Sequence, residues 1–358
     1  MTMRVAKRRI SKRGVVIAAA AMIAIAGPAF AATTNLVETG SSLLYPLFNL
    51  WVPAYTQSHP DVRINTASTG SGTGIAQSIE GIAQFGASDA YLSDMQMKKN
   101  PGMLNIPVAI SSQMINYNVP GLNHKNLKLD GPVIAGMYDG QVRYWDDAQI
   151  KALNPGLPLP HKEIVPIHRA DGSGDTFMFS QFLSFSDKAW QTKTGYGTSV
   201  SWPSVPSAIG ATGNPGMVTA MKNSPYSIAY VGVSFKSETD KAGFGEALLK
   251  NRAGNFVKLD EKTVPAAAAA MVPKTPKDER ISMIFAPGAN SYPIINYEYV
   301  IVKNKQASPE TAKVMRDFLT WAVSEKGGNS MSYLKQVNFL PLPASARALT
   351  MKQIAEIQ

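Results

Sequence analysis

The chain contains no cysteine, so it has no disulfide framework, no thiolate nucleophile and no cysteine-ligated metal. Histidine is scarce as well. His59, His124, His161 and His168 are scattered without a metal-site spacing, and structural or surface roles account for them better than ligation. No G-x-x-x-x-G-K-S/T loop occurs, which excludes nucleotide triphosphate binding through a P-loop. Neither Gly70-Ser71-Gly72 nor Gly172-Ser173-Gly174 matches the G-x-S-x-G nucleophile elbow, and His168 near Ser173 does not make a triad. No Lys/Arg run with interleaved aromatics points to nucleic acid. Val15 to Ala26 is apolar but too short to span a bilayer comfortably.

That run belongs to a leader. Arg4, Lys7, Arg8, Arg9, Lys12 and Arg13 precede it, and Ala29-Phe30-Ala31 follows as a small-x-small cleavage signal. Residues 1–31 read as a signal peptide cleaved after Ala31, which makes the mature protein periplasmic. Arg8-Arg9 leaves the twin-arginine route open beside the general secretory one, and lipid anchoring through a cysteine at the cut is excluded. The leader holds six of the 35 basic residues and none of the 25 acidic ones, so the mature chain carries +4 instead of +10. Its 327 residues suffice for a core without disulfides and are more typical of two domains than one.

What is present is one pattern, three times over: a short apolar strand, a Gly/Ser turn, then an apolar helix. Asn35 to Thr39 leads into Gly40-Ser41-Ser42-Leu43 and a helix with Leu44, Leu47, Phe48, Trp51 and Tyr55 on one face. Val62 and Ile64 lead into Thr69 to Gly74 and a helix face of Ile75, Ile79 and Ile82. Glu163 to Ile167 leads into His168 to Thr176 and a buried helix from Phe177 to Leu183. Ordinary helix capping explains any one of these turns. Three of them, fed by strands, gather the N–H groups of helix starts and the hydroxyls of Ser42, Ser71, Ser173 and Thr176 into an anion site. Arg169 adds a planar fork for two oxygens, although Asp171 or Asp175 could instead hold it as an ion pair. Asp89 ends the strand Gln84 to Ser88, at the edge where open α/β sheets bind ligands.

Asn105 to Val119 and Tyr292 to Val302 are long extended runs that read as two crossings between lobes, with Asn116 to Asn118 and Asn296 to Glu298 as hinges. A helix is expected around Asp146 to Leu153, another over Pro265 and the alanine run, and a third capped by Ser308 with Pro309 first and Gly327-Gly328 as its stop. Residues 195–235 read mainly as loop. The expected architecture is α/β with two lobes, lobe 1 from 32–116 plus 297–358 and lobe 2 from 117–296.

The residues Gly40-Ser41-Ser42-Leu43 with Tyr45-Pro46, Gly70 to Gly74, Phe85 to Ala90 and Arg169 to Gly174 resemble the phosphate-binding proteins of bacterial phosphate ABC importers. The similarity runs through nearly all of the mature chain, including Tyr144 to Asp147 and Leu153 to Gly156. It implies a type II periplasmic-binding fold whose two lobes, each a mixed sheet flanked by helices, close on one dehydrated phosphate. It further implies that Ser41, Ser42, Leu43 and Ser71 donate to the ligand, that Asp89 accepts the phosphate's proton, and that Arg169 binds its oxygens. Ser173, Gly174 and Asp175 would complete the cradle. Where the family often has Thr-Phe this chain has Ser42-Leu43, and where it often has Thr this chain has Asp175. The implied role is a monomeric, non-enzymatic receptor that needs no cofactor and delivers inorganic phosphate to an inner-membrane permease. A secreted phosphatase using a site serine and a receptor for another oxyanion are the rival readings. The phosphatase lacks a base near Ser42, Ser71 or Ser173, and Asp89 disfavours sulfate.

Overall fold

The computed structural model describes residues 1–4 and 33–358. The leader's apolar run and the cut after Ala31 lie outside the described residues. Eight strands form the main path of the larger sheet: β1 (Thr34–Gly40), β2 (Val62–Ser68), β3 (Phe85–Ser88), β4 (Met103–Asn118), β5 (Val165–Arg169), β6 (Ile209–Ala211), β7 (Ser227–Gly232) and β8 (Ile295–Lys303). Their order across the sheet is β2-β1-β3-β8-β4-β7-β5-β6, with Gly245–Glu246 as a ninth strand on β4.

β4 divides this sheet into two halves. Met103 to Ser112 pair antiparallel with β8, whereas Gln113 to Asn118 pair antiparallel with β7. The first half adds β1, parallel to β2 and β3, and the second adds β5, parallel to β7 and β6. Gln113 N–H donates to the Ile294 carbonyl at 3.1 Å, which ties the point of partner change to the segment just before β8. Along the β4–β8 ladder the register slips between Glu298 and Tyr299, opposite Ala109 and Pro107. Pro107 has no N–H for the ladder, and a bulge is where a strand accommodates that.

The first helix, α1 (Tyr45–Ser58), buries Leu47, Phe48, Trp51 and Tyr55, the periodic face seen in the sequence. α2 (Ser71–Glu80) is shorter than its apolar pattern suggests. Gly81 takes a left-handed conformation with φ 76°, the chain turns away, and Ile82 stays 57% exposed instead of extending the buried face. α3 (Gly174–Ser186) starts directly after Ser173 and is buried along almost its whole length.

The 195–235 stretch is not mainly loop. It contains β6, β7 and between them α4 (Gly213–Asn223). That helix reads poorly in sequence because two glycines and a proline open it, yet Pro215 sits in the first turn, where no N–H is needed. The helix Gly131–Asp139 escaped notice for another reason: seven of its nine residues are buried, so no polar face marks a period. The helix Ala344–Ala355 near the C-terminus was likewise not anticipated. The helix capped by Ser308 is α5 (Pro309–Val323), and it stops at Ser324, which is already extended, ahead of the glycine pair expected to end it. The alanine run is helical, within Thr263–Met271.

Candidate functional site

The three turns meet. Ser41 lies at the end of β1, where its Oγ accepts from the N–H groups of Leu43 and Leu44, both at 3.0 Å, and donates to Asp89 Oδ1. Ser71, the first residue of α2, donates to Asp89 Oδ2 at 3.4 Å and accepts from the Asp89 N–H at 3.3 Å. Asp89 therefore sits at the strand end with a hydroxyl on each carboxylate oxygen, and it is 1% exposed. Burial drives its carboxyl upward from the usual range, while Ser41, Ser71 and the Arg169 charge pull the other way.

The third turn comes against the other two. Gly72 N–H donates to the Gly172 carbonyl at 2.9 Å. A Cβ on Gly174 would lie 2.4 Å from Asp89 Oδ2 and 2.6 Å from Ser71 Oγ, so α3 can approach this closely only with glycine there. Ser173 caps α3 by accepting from Thr176 N–H at 3.2 Å. The hydroxyl of Thr176, expected among the converging groups, is instead bonded to the Tyr230 hydroxyl at 2.7 Å. The first turn of α3 points that side chain toward β7 and away from Asp89.

Arg169 ends β5 and is 3% exposed. Its Nε donates to Asp171 Oδ1 at 2.7 Å, one terminal nitrogen bonds Asp171 Oδ2, and the other donates to Asp175 Oδ2 at 2.9 Å. Both candidate ion pairs thus exist at once. Of the five guanidinium hydrogens these bonds use three, leaving one on each terminal nitrogen for a further acceptor. Burial works against the Arg169 charge, but the two aspartates outweigh it and the group stays a firm cation. Burial likewise opposes ionisation of Asp171, and the Arg169 contact still holds its carboxyl below the usual range.

Asp175 is fully buried at the start of α3. Burial, and then the Asp89 charge, push its carboxyl up to about 7 against the pull of Arg169. Two residues that the sequence did not flag hold it. Asn214 Nδ2 donates to Asp175 Oδ2 at 2.7 Å and to Ser42 Oγ at 3.0 Å, and the Asn214 N–H donates to Ser42 at 3.1 Å. Gln113 Nε2 donates to the Asp175 carbonyl at 2.9 Å and to Oδ1 at 3.2 Å. Ser42, acting twice as acceptor, keeps its own hydrogen to donate. Leu43, in contrast, directs its N–H at Ser41 and its carbonyl at Ser234 Oγ.

All nine residues singled out from the sequence are therefore gathered in one buried volume: Ser41, Ser42, Leu43, Ser71, Asp89, Arg169, Ser173, Gly174 and Asp175. Asn214 was missed because it opens a helix that was not recognised. Gln113 carried a weak signal, as a polar residue inside a long apolar strand. Three histidines stack on aromatic rings, His168 on Trp202, His161 on Tyr144 and His59 on Tyr55, and His168 Nδ1 also lies 3.1 Å from the Arg169 carbonyl.

What the arrangement offers is chemically specific. A buried cation with two donors unused among the described residues, hydroxyl and helix-start donors around it, and the buried carboxyls of Asp89 and Asp175 suit a tetrahedral oxyanion that still carries a proton.

Comparison with known proteins agrees with that chemistry. Residues 27–326 match the family model described as a PBP superfamily domain. The chain is 35% identical over 313 residues to the phosphate-binding protein PstS of Methanocaldococcus jannaschii, covering 82% of this chain and 79% of that one. It is 30% identical to the phosphate-binding protein PstS of Haemophilus influenzae, over 88% and 91% of the two chains. The crystal structure of a phosphate-binding protein from Stenotrophomonas maltophilia shares the fold, with a TM-score of 0.67 at 19% identity over 89% and 94% of the chains. These relatives are named as phosphate-binding proteins. With its two-lobe type II α/β architecture, the chain belongs to the PstS phosphate-binding proteins of the PBP superfamily.

Proposed function

We propose that this protein is a periplasmic receptor that binds inorganic phosphate and hands it to an ABC-type inner-membrane permease. The observation that carries the reading is Asp89, a buried carboxylate flanked by Ser41 and Ser71 and facing Arg169 through the turn at Gly174. Arg169 binds phosphate oxygens with its two unused hydrogens. The hydroxyls of Ser42 and Ser173 and the N–H groups at Ser71, Gly174 and Asp175 supply the remaining donors, and Ser41 and Leu43 shape the first turn. Phosphate near neutral pH always keeps a proton, which it donates to Asp89. Sulfate has none to give, and would set an oxygen lone pair against a dry carboxylate at a cost of several kcal/mol. Discrimination rests on that unmet acceptor.

Asp175 sharpens the preference. With its carboxyl raised to about 7, it is neutral below that pH and an added negative charge above it. The doubly protonated phosphate anion is therefore favoured, and binding weakens as the pH rises from about 6 to 9.

The supporting architecture is the change of partner in β4 between Ser112 and Gln113, joined to Ile294. We infer that the two lobes, 32–116 with 297–358 and 117–296, close about these two crossings, with the flexing point a few residues ahead of Asn116 and Asn296. Export is followed by removal of residues 1–31.

Calorimetric titration of ligand-stripped mature protein with phosphate and then sulfate, repeated on Asp89→Asn, tests the reading. Tight 1:1 phosphate binding without sulfate heat, and loss of that selectivity in the variant, is the expected result. Absence of phosphate heat at any pH overturns it.

A further inference from the structure

Behind Asp89 lies a second carboxyl that the binding reading does not use. Glu298 sits on β8 and is fully buried. Ser111 of β4 donates to its Oε1, while Oε2 is buried and has no hydrogen-bond donor among the described residues. The same strand grips Asp89 a second time, through Asn296 Nδ2 to the Asp89 carbonyl. Tyr299 of β8 pairs with Ser88 of β3 in antiparallel register, which sets Glu298 beside Asp89, the next residue along. From α3, Asp175 adds a third carboxyl to their surroundings, and Arg169 of β5 acts on Asp89.

We propose that Glu298 is the positioning residue for Asp89: as a neutral acid its Oε2–H donates to the Asp89 carboxylate, which keeps Asp89 an anion able to accept the phosphate proton. This rests on the receptor reading above and adds a residue to its specificity.

Two neighbouring carboxyls in a dry site are not both ionised, so the pair holds one proton. Its place follows from the donors. Asp89 has Ser41 and Ser71 on its two oxygens and the Arg169 charge nearby, all of which stabilise an anion. Glu298 has Ser111 alone. The proton therefore resides on Glu298, and the donorless Oε2 is the oxygen that carries it. Burial, followed by the charge of Asp89, pushes the Glu298 carboxyl far above the usual range. Because Asp89, Glu298 and Ser111 all belong to the β1–β3–β8–β4 half of the sheet, the acceptor is prepared before α3 arrives with Asp175.

Two substitutions separate this from simple packing. Glu298→Gln keeps a donor toward Asp89, whereas Glu298→Leu removes it. The Gln variant is expected to bind phosphate within about threefold of the parent at pH 7 and to reject sulfate, with the alkaline fall set by Asp175 unchanged. In the Leu variant Asp89 takes up a proton of its own and becomes a donor, so the phosphate-to-sulfate affinity ratio drops at least tenfold. A Leu variant that rejects sulfate as well as the parent, or a Gln variant that accepts sulfate as readily as the Leu variant, overturns the proposal.

One readout needs neither phosphate binding nor the Leu variant to fold. The infrared difference spectrum between parent and Glu298→Gln, both ligand-free at pH 8, should contain the carbonyl stretch of one protonated carboxylic acid. Without that band Glu298 is ionised and the proposal fails, whether or not the protein binds phosphate. If the band is present and phosphate does not bind, the receptor reading fails and the Glu298 proton stands.

Discussion

Asp89 and Glu38 lie on neighbouring strands of one sheet, both at about 1% exposure or less, and they have opposite fates. Asp89 ends β3, where turns deliver the hydroxyls of Ser41 and Ser71. Glu38 is in the middle of β1, where the backbone on both sides is spent in ladders with β2 and β3, and among the described residues neither of its carboxylate oxygens has a side-chain donor. Burial pushes the Glu38 carboxyl up to about 8, with only the main chain of Ala67 working the other way. The comparison teaches that burial alone makes a neutral acid and a liability. A buried carboxylate becomes a recognition group where strand ends bring donors and a cation to it.

Removing the cation breaks the contrast most severely. Arg169→Met leaves the Asp171 and Asp175 carboxyls without their cation and takes away the ligand's fork, and is expected to weaken phosphate binding at least a thousandfold, ~4 kcal/mol or more. Titration calorimetry reads this directly, and a loss below tenfold would remove Arg169 from the site.

Glu38→Gln probes the other side. Because the Glu38 carboxyl is raised in the folded state, the stability it contributes is fully present below about 4.5 and is lost as the pH rises through about 8. The Gln variant should gain on the parent across that window, by about 3 kcal/mol at pH 7 in urea unfolding, with phosphate affinity unchanged. Parallel stability curves would show Glu38 to be solvated or paired.

Asn214→Ala takes the shared donor from Ser42 and Asp175 and should cost about 2 kcal/mol of binding, roughly thirtyfold. An effect confined to stability would make Asn214 a strut only. At pH 7 the smallest change is expected in Asp175→Asn. The parent should lose about tenfold in affinity per pH unit above 7, once phosphate's own ionisation is allowed for, and the variant should not. Equal slopes would remove Asp175 from ligand protonation.

The legible parts of the molecule are those where local and global preferences coincide. Trp51 and Tyr55 recur at helical spacing because α1 buries a single face. Ser308-Pro309 marks α5 because a cap and a first-turn proline act locally. Ile82 misled because periodicity continues past Gly81 while the backbone does not. α4 was invisible for the opposite reason: its glycines and proline discourage a helix locally, and packing of Met217, Val218 and Met221 overrides them.

The sequence by itself determined the three strand–turn–helix units, the α/β class, the export leader as an expectation, and nine residues with the right functional groups for an oxyanion. These follow from chemistry that acts over a few residues. Only the tertiary structure decided which hydroxyl faces which carboxylate: that Thr176 turns to Tyr230, that Asn214 bridges Ser42 and Asp175, and that Glu298 stands behind Asp89. Those pairings join residues up to 209 positions apart in the chain. A carboxyl's proton depends on every charge and donor around it, and that set exists only once β4 and β8 have brought the ends of the chain together.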